Sequence, residues 1–406
     1  MLAAATEFDP QISLPNFSLS VRTYQTWEEL EEFRESWNGL LTANPGSSVF
    51  QTPEWLNSWW QAFGRNRRFL GLVFSDSDGK TVGIALLYED RTRFLGAQLT
   101  TLRLVGAGSG DSDALDFVTA PGYECHCAKA FTDWLAEKKD WHVCQLETLP
   151  QNSLVAQSLL LRGEEPDWSI DSTRTPNFII DLPATWTQYV SSLEPQFRPL
   201  LTRYPKRLKS RFSVRYVRCE HVEDLQKQLR MLFDLHQMRW TGRGEAGAFA
   251  STERRDFYCR MACAFLKRGW LEFWLLELDG ESVGAQFCFR YHDTVSLLQE
   301  GFHPKYAGEK IGYALKAHLL EEMIRTGAKS YDFLGGNDLY KAKFGARRAS
   351  YLNVFITGHS RLGRLYLALQ KQKRITKAWL KKRFAPQLAF AMRGRSDARG
   401  SSQMNS

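Results

Sequence analysis

The amino-acid sequence predicts an α/β protein, with α+β features, built from two similar domains in tandem. Its 406 residues exceed the usual length of one domain. Hydrophobic residues make up 43% of the chain and aromatic residues 13%, which is more apolar surface than a disordered chain carries. The order helix, hairpin, strand, helix, strand also occurs twice along the sequence. Such alternation of helices and strands is typical of mixed sheets flanked by helices.

The repeat is clearest in two predicted β-hairpins. The first has the turn Asp78-Gly79 after the apolar run 69–75, and the second has the turn Asp279-Gly280 after the run 270–276. The two turns are 201 residues apart, from Asp78 to Asp279. An Asp-Gly pair between apolar runs favours a tight hairpin turn because glycine adopts positive φ without steric cost.

Helices and further strands are predicted around each hairpin. The predicted helices cover residues 53–63, 127–138, 186–211, 252–267 and 310–325, and the predicted strands after the hairpins cover 142–147 and 330–334. Turn residues around Pro176 and Pro183 interrupt the pattern, which puts the join near residues 172–185. We therefore predict a flexible N-terminus at 1–17, domains at 18–180 and 181–360, and a basic helical tail at 361–406.

The positive charge of the chain is concentrated in this tail. The formal net charge is +8, yet residues 361–406 hold 12 Lys and Arg with one Asp, while the rest has 41 basic and 44 acidic residues. Because the body is nearly neutral, we predict no nucleic-acid partner. Apolar residues of the tail, Trp379 among them, recur at helical spacing, which predicts a basic amphipathic helix. Such a helix either docks on the protein or lies on an anionic membrane, and its charge favours the membrane.

Targeting and metal-binding signals are weak. The first 17 residues lack the basic and apolar regions of a signal peptide, and no apolar run reaches membrane-spanning length. The odd number of cysteines, seven, favours reduced thiols, so we expect the chain in the cytoplasm, with contact at the inner membrane face through the tail. Cys125-His126-Cys127 has no second ligand pair at zinc spacing, although His142 and Cys144 lie within reach, and we predict no metal.

Two segments of the second domain carry candidate functional residues. The predicted strand 294–300 ends in a glycine-bearing loop before a helix, where backbone N–H groups can bind an anion. The same pattern is also compatible with a loop that binds nothing. The segment 331–345 combines carboxylates, phenols and amines with a short buried strand; Asp338 there is also a plausible helix cap.

Several motifs, taken together, resemble the CelD-type acyltransferases of bacterial polysaccharide and cellulose synthesis, relatives of the GNAT superfamily and of FemAB-type tandem-domain enzymes. The resemblance rests on the segments 50–55, 235–240, 247–249, 269–271, 279–280 and 299–302, on Gly308, and on the segment from Asp332-Phe333-Leu334 to Tyr340-Lys341. It implies two tandem GNAT-like domains, with acyl-CoA in the second. The resemblance places the pyrophosphate of CoA on Tyr306, Ala307, Gly308, Glu309, Lys310, Ile311 and Gly312. This chain has Gly335-Gly336-Asn337-Asp338 where the family usually has Arg-Gly-Asp/Glu.

The leading hypothesis is transfer of an acyl group from acyl-CoA to an amino or hydroxyl group of a sugar or lipid-linked sugar. Glu300 is the first candidate base, with a pKa raised by burial, and Asp332 is the second. Tyr340 is the candidate proton donor. The predicted acceptor-binding residues are Arg239, Trp240 as a stacking platform, Asp338 and Lys341.

The first domain is expected to be non-catalytic. Asp111 and Asp113 stand in its equivalent glycine-rich loop and would repel a pyrophosphate. Two alternatives remain open for the whole chain. One is a FemAB-like transferase that uses aminoacyl-tRNA, which needs a basic body surface; the other is a non-catalytic scaffold of polysaccharide synthesis, favoured by the missing Arg. Acetyl-CoA binding separates the leading hypothesis from the scaffold.

Overall fold

The computed structural model describes residues 18–161, 168–241, 244–245, 247–336, 339–377 and 379. The predicted flexible N-terminus at 1–17 lies outside these residues. The first half contains β1 (Ser20–Tyr24), α1 (Arg34–Ala43), α2 (Pro53–Phe63), β2 (Arg68–Ser75), β3 (Thr81–Phe94), β4 (Ala97–Leu104), β5 (Val118–Thr119), α3 (Glu124–Glu137), β6 (Val143–Pro150), α4 (Leu154–Leu161) and β7 (Ser169–Asp181).

The second half begins with two helices and then repeats the order of elements of the first half, apart from β5 and α4. It contains α5 (Trp186–Ser192), α6 (Arg198–Arg211), β8 (Val214–Arg218), α7 (Val222–Thr241), α8 (Thr252–Arg268), β9 (Leu271–Leu278), β10 (Glu281–Tyr291), β11 (Thr294–Phe302), α9 (Ile311–Arg325), β12 (Ser330–Gly335) and β13 (Arg347–Thr357). Residues 361–377 are helical as well and are called the C-terminal helix below.

The predicted hairpins are confirmed, and so are the helices predicted at 53–63, 127–138, 252–267 and 310–325, whereas the region 186–211 forms two helices, α5 and α6, with residues 193–197 between them. The Asp-Gly turns connect β2 to β3 and β9 to β10, and Gly79 and Gly280 have φ of 78° and 87°. Thr52 caps α2 by accepting a hydrogen bond from the backbone N–H of Trp55, and Pro53 stands in the first turn, where its missing N–H costs nothing. Ser251 caps α8 in the same way.

The described strands form one mixed sheet in the order β1-β2-β3-β4-β6-β13-β7-β12-β11-β10-β9-β8, with β5 beside β3. Two apolar clusters fill the space between this sheet and its helices. In the larger cluster the equivalent helices of the two halves, α2 and α8, pack on each other, with the Trp55 ring 5.1 Å from that of Phe257. The predicted α/β class is confirmed.

The two central strands, β7 and β13, are exchanged between the halves, so that each pairs with a strand of the other half. β7, from the end of the first half, pairs with β12 of the second, and β13, from the end of the second half, pairs with β6 of the first. β7 and β13 also pair with each other over 11 residue pairs, from Arg347–Ile179 to Thr357–Ser169. The segment in which the sequence puts the join is therefore a long central strand, and the boundary at 180/181 stays a prediction.

Each half has a parallel strand pair that separates after three residue pairs. In the second half β11 and β12 pair from Thr294–Ser330 to Ser296–Asp332, and β11 then continues to Phe302 without that partner. In the first half β4 and β6 pair only from Thr101–Val143 to Arg103–Gln145. Strands that separate leave space between them, and in the second half the space between β11 and β12 forms part of the candidate site.

The C-terminal helix lies against the first half. The Cβ of any residue larger than glycine at position 363 would come within 2.1 Å of the His142 carbonyl oxygen, which shows how closely the helix approaches. The rings of Tyr366 and Phe94 are 5.2 Å apart, and the Lys371 ammonium lies 3.7 Å from the Asp171 carboxylate. Among the described residues, no helix combines the length and the hydropathy needed to cross a bilayer.

Candidate functional site

Two cavities of about 550 Å³ each adjoin at the separated strands of the second half. We call them the loop cavity, between the loop after β11 and the start of α9, and the strand cavity, between β11 and β12. Both are lined by Arg239 from α7, Glu300 from β11 and Tyr340 from the segment after β12. These three side chains therefore stand where the two cavities meet.

The loop cavity includes the start of α9. Lys310, Ile311 and Gly312 line it, and the N-terminus of α9 has no side-chain cap. Uncapped N–H groups and the positive end of a helix attract anions. Gly312 packs closely here, since a Cβ at this position would lie 3.0 Å from the Phe302 ring that also lines the cavity, and the ring would have to shift.

Only part of the predicted pyrophosphate loop faces this cavity. Ala307 lines it together with residues 310–312, but Tyr306, Gly308 and Glu309 do not. The Tyr306 hydroxyl donates to the Glu281 carboxylate at 2.8 Å. Glu309 is paired with Arg207 and Arg211 of α6, so these two cations neutralise a carboxylate beside the helix start.

The strand cavity is lined by residues directly beyond the paired part of β11 and β12. They are Leu297, Leu298, Gln299 and Glu300 on one strand and Phe333 and Gly335 on the other. Side chains from α7 and α8 complete the wall, among them His236, Trp240 and Arg254. The cavity thus combines apolar surface, aromatic rings and cations, as a polar-ligand pocket does.

Glu300 is held by ionic and hydrogen bonds from three side chains. The Lys316 ammonium lies 2.9 Å from its carboxylate, the Gln286 amide donates at 3.1 Å, and Arg239 lies at 3.7 Å. Burial raises the pKa of the Glu300 carboxyl, but Lys316, Arg239 and Gln286 outweigh it, and the pKa is below its ordinary value. The expectation of a raised pKa is therefore wrong: Glu300 is a stabilised carboxylate at neutral pH.

Asp332 is separated from Glu300 by the strand geometry. It lines neither cavity; its carboxylate accepts from the Leu334 N–H at 2.7 Å and from the Tyr351 hydroxyl at 3.3 Å. Burial, together with the nearby Asp113 carboxylate, raises the pKa of Asp332 to about 7. The two predicted carboxylates thus do not form one acid–base pair.

The segment after β12 brings the remaining predicted residues to the site. Lys341 lines the strand cavity, is buried, and donates to the carbonyl oxygens of Phe333, Leu334 and Gly335 at 3.3–3.4 Å. These bonds fix the end of β12. Asp338, predicted to bind the acceptor, lies outside the described residues.

The glycine-rich loop of the first half, residues 105–113, is occupied by contacts with the second half. The Asp113 carboxylate accepts from the Gly335 N–H at 2.7 Å, and Asp111 pairs with Arg254 at 3.0 Å. Burial raises the pKa of Asp113 to about 6. At the end of the β4–β6 pair, an ion pair between Arg103 and Glu147 bridges the two strands. That the first half is non-catalytic stays a prediction.

Three residues of the site have no predicted role in the sequence: Lys316, His236 and Arg254. The Lys316 side chain is only 3% exposed, although the sequence of α9 has the ordinary pattern of an amphipathic helix, in which lysines face solvent. His236 accepts from the Trp240 indole N–H at 2.9 Å through Nε2, and burial lowers its pKa to about 4, so the ring is neutral with its proton on Nδ1. The available signal for Lys316 was its position among the apolar residues Leu315, Ala317 and Leu319 of α9.

The zinc-like fragment Cys125-His126-Cys127 lies in the first turn of α3. Ser158 donates to the Cys125 sulfur at 3.1 Å, and Cys127 is buried in the larger apolar cluster. Within the ranges that the structure describes, no three or more His, Cys, Asp or Glu side chains are grouped so that they could hold a metal ion.

Comparison with solved structures shows the fold. The crystal structure of FemX has a TM-score of 0.58 at 11% identity and covers 86% of this chain and 99% of its own. A protein of unknown function from Bacteroides thetaiotaomicron VPI-5482 has 0.52 at 12%, covering 84% and 99%. The C-terminal domain of a proposed lysylphosphatidylglycerol synthetase from Agrobacterium fabrum has 0.51 at 10%, covering 84% and 96%.

Sequence comparison finds a family model that matches part of the second half. No curated protein sequence matches the chain. Residues 196–342 match the family model described as an acetyltransferase (GNAT) domain. This range includes β11, the start of α9 and β12, so it contains the residues at the junction, the whole lining of the strand cavity, and that of the loop cavity except Phe344. Over residues 196–342 the chain is therefore similar to GNAT-type acetyltransferase domains.

Proposed function

We propose that the second half transfers an acyl group from acyl-CoA, bound in the loop cavity, to an amino or hydroxyl group of a sugar or polysaccharide precursor in the strand cavity. The observation that carries the proposal is the pair of adjoining cavities with Arg239, Glu300 and Tyr340 at their junction. A transferase needs two ligands to meet at one point, and the GNAT domain match covers this point.

The chemistry requires few groups from the protein. The acceptor nitrogen or oxygen attacks the thioester carbonyl, a new C–N or C–O bond forms, and the C–S bond breaks. Glu300, ionised at neutral pH, accepts the proton that the nucleophile loses, directly or through a water molecule. The Tyr340 hydroxyl donates a proton to the leaving thiolate. Trp240 supports stacking of a sugar ring in the strand cavity.

Glu300→Gln and Tyr340→Phe are expected to lower kcat by roughly two to three decades, because each removes a proton-transfer group. Release of free thiol from acetyl-CoA, measured with a panel of amino sugars and neutral sugars, checks this. The affinity for acetyl-CoA should stay within about twofold, since neither group is assigned to donor binding. Wild-type turnover in both variants would exclude this assignment.

Gly308→Asp is expected to weaken acetyl-CoA binding by roughly tenfold or more, since a carboxylate close to the helix start repels the donor phosphates. A Cβ at position 308 meets nothing within 4 Å, so the fold should tolerate the change. Gly308→Asn is the matched control, because it has the same size without the charge. Calorimetry with acetyl-CoA distinguishes the two. Equal affinity of both variants and the wild type would show that the donor phosphates lie elsewhere.

A second candidate function, a FemAB-like transfer from aminoacyl-tRNA, is favoured by one observation. Arg203, Lys206 and Arg207 of α6 line a depression of about 440 Å³ together with Thr202 and Ser210. Such a cationic surface suits a phosphate backbone. Salt-dependent tRNA binding without acetyl-CoA binding would favour this candidate, and binding of neither would favour the scaffold.

A further inference from the structure

The tip of the β3–β4 hairpin and the C-terminal helix lie side by side. The hairpin turns at Leu95 and Gly96, and Leu95 has a φ of 50° and is 72% exposed. The preceding ring, Phe94, contacts Tyr366 of the C-terminal helix edge to face at 5.2 Å. The turn and the helix therefore belong to one surface of the first half, which we call the tip surface.

The tip surface is unusually apolar for an exposed region. Nine large hydrophobic side chains are exposed among the described residues; four belong to these two segments, Leu95, Leu365, Leu369 and Ile375, and a fifth, Trp379, lies just beyond residues 361–377. Leu365 and Ile375 remain exposed although the helix is docked through Gly363 and Tyr366 on its other side. A concentration of exposed apolar side chains marks an interaction site.

The same surface is basic. Arg93 on the hairpin and Arg361, Arg364, Lys373 and Lys377 on the helix are all exposed. The acidic groups beside them are already bound to cations. Glu89 accepts from Arg91 at 2.9 Å, and Asp171 lies 3.7 Å from Lys371 and 3.9 Å from Arg374.

We propose that the tip surface binds an anionic phospholipid bilayer, with Leu95 and the exposed helix leucines entering the interface and the flanking cations meeting lipid headgroups. Charge complementarity selects this partner, since Lys and Arg around exposed aliphatic side chains match an anionic interface. The sequence left a docked helix and a membrane-bound helix as alternatives. In the structure one side of the helix is docked on the first half, and its other side faces outward, where the proposed bilayer would contact it. The proposal does not depend on the acyltransferase assignment.

The test is co-sedimentation of the full-length protein with vesicles at low salt. Vesicles containing phosphatidylglycerol should sediment the wild type, and vesicles of phosphatidylcholine alone should not. Leu95→Asp should bind the anionic vesicles roughly tenfold more weakly, because it replaces an inserting side chain by a carboxylate. Arg93→Glu should weaken binding in the same direction and reduce its dependence on salt.

Leu161→Asp is the matched control. Leu161 is 58% exposed but ends α4, which contacts β13 and whose buried residues share the larger apolar cluster with Val354 and Ile356 of that strand. Phe355, which alternates with them and points to the opposite face, lies 5.3 Å from the guanidinium of Arg374 in the C-terminal helix. Wild-type binding by Leu161→Asp supports the proposal.

Two results would overturn the proposal: equal binding of Leu95→Asp and wild type, or no binding of the wild type to anionic vesicles. Acetyl-CoA affinity of Leu95→Asp, measured in parallel, should equal that of the wild type, because both cavities lie in the second half. Failure of vesicle binding and failure of the acyltransferase assignment are thereby distinguished.

Discussion

Lys316→Met is expected to lower the free energy of unfolding by about 3 kcal/mol at pH 7, because it leaves a largely buried carboxylate without its nearest cation. The Lys316 and Glu300 side chains are 3% and 16% exposed, and their charged atoms are 2.9 Å apart. Burial is the largest single influence on the pKa of Glu300 and raises it, so the pKa rises when the opposing ammonium is removed. Urea unfolding measures the loss, and the acid limb of any activity profile should move to higher pH.

The double variant Lys316→Met with Glu300→Gln is the control for a specific pair. Removing both charges leaves no unpaired buried ion, so the double variant should be more stable than the sum of the two single losses indicates, by about 1–3 kcal/mol. Additive losses would show that Lys316 contributes through packing on the Phe333 and Phe344 rings, 5.1 and 5.6 Å away, rather than through the ion pair.

Asp332→Asn is expected to stabilise the protein above neutral pH. The pKa of Asp332 is about 7 in the fold, against an ordinary value of 3.8. Between these values the folded chain binds a proton that the unfolded chain releases, so the free energy of unfolding falls as pH rises. Asn removes this cost while its amide oxygen still accepts from the Leu334 N–H. The gain at pH 8 should be about 2–4 kcal/mol.

Thermal or urea unfolding across pH 4–8 checks this expectation. The wild type should lose stability over this range more steeply than Asp332→Asn, and the two should converge near pH 4. Asp113→Asn should give a smaller change of the same sign, because the pKa of Asp113 is about 6. Parallel curves for wild type and Asp332→Asn would show that Asp332 is already ionised in the fold at neutral pH.

Local structure was predictable because its signals are local. Asp78-Gly79 and Asp279-Gly280 form turns in any context that offers two apolar strands, and the helix predicted at 53–63 matches α2. The position of Glu300 at the site also follows from local order, since it stands near the end of β11.

The electrostatics of the site were not predictable in this way. The pKa of Glu300 depends on Lys316, which comes from a different element and reaches the carboxylate only after α9 packs on the sheet. Likewise, Asp332 stands on the same short strand as Phe333 but points away from the strand cavity, because neighbouring residues on a strand face opposite sides. Asp113 meets Gly335 across 222 residues of sequence, and no local pattern records such a contact.

The exchange of β7 and β13 has a consequence for how the chain reaches its fold during synthesis. When the ribosome has completed the first half, β6 still lacks the partner that residues 347–357 will supply, and β7 lacks β12 and β13. An unpaired strand edge can join other chains. The sheet centre closes only after residues 347–357 have emerged from the ribosome. Until then the nascent protein exposes two aggregation-prone strands, β6 and β7. Early contact with a chaperone is therefore most valuable at these two strands.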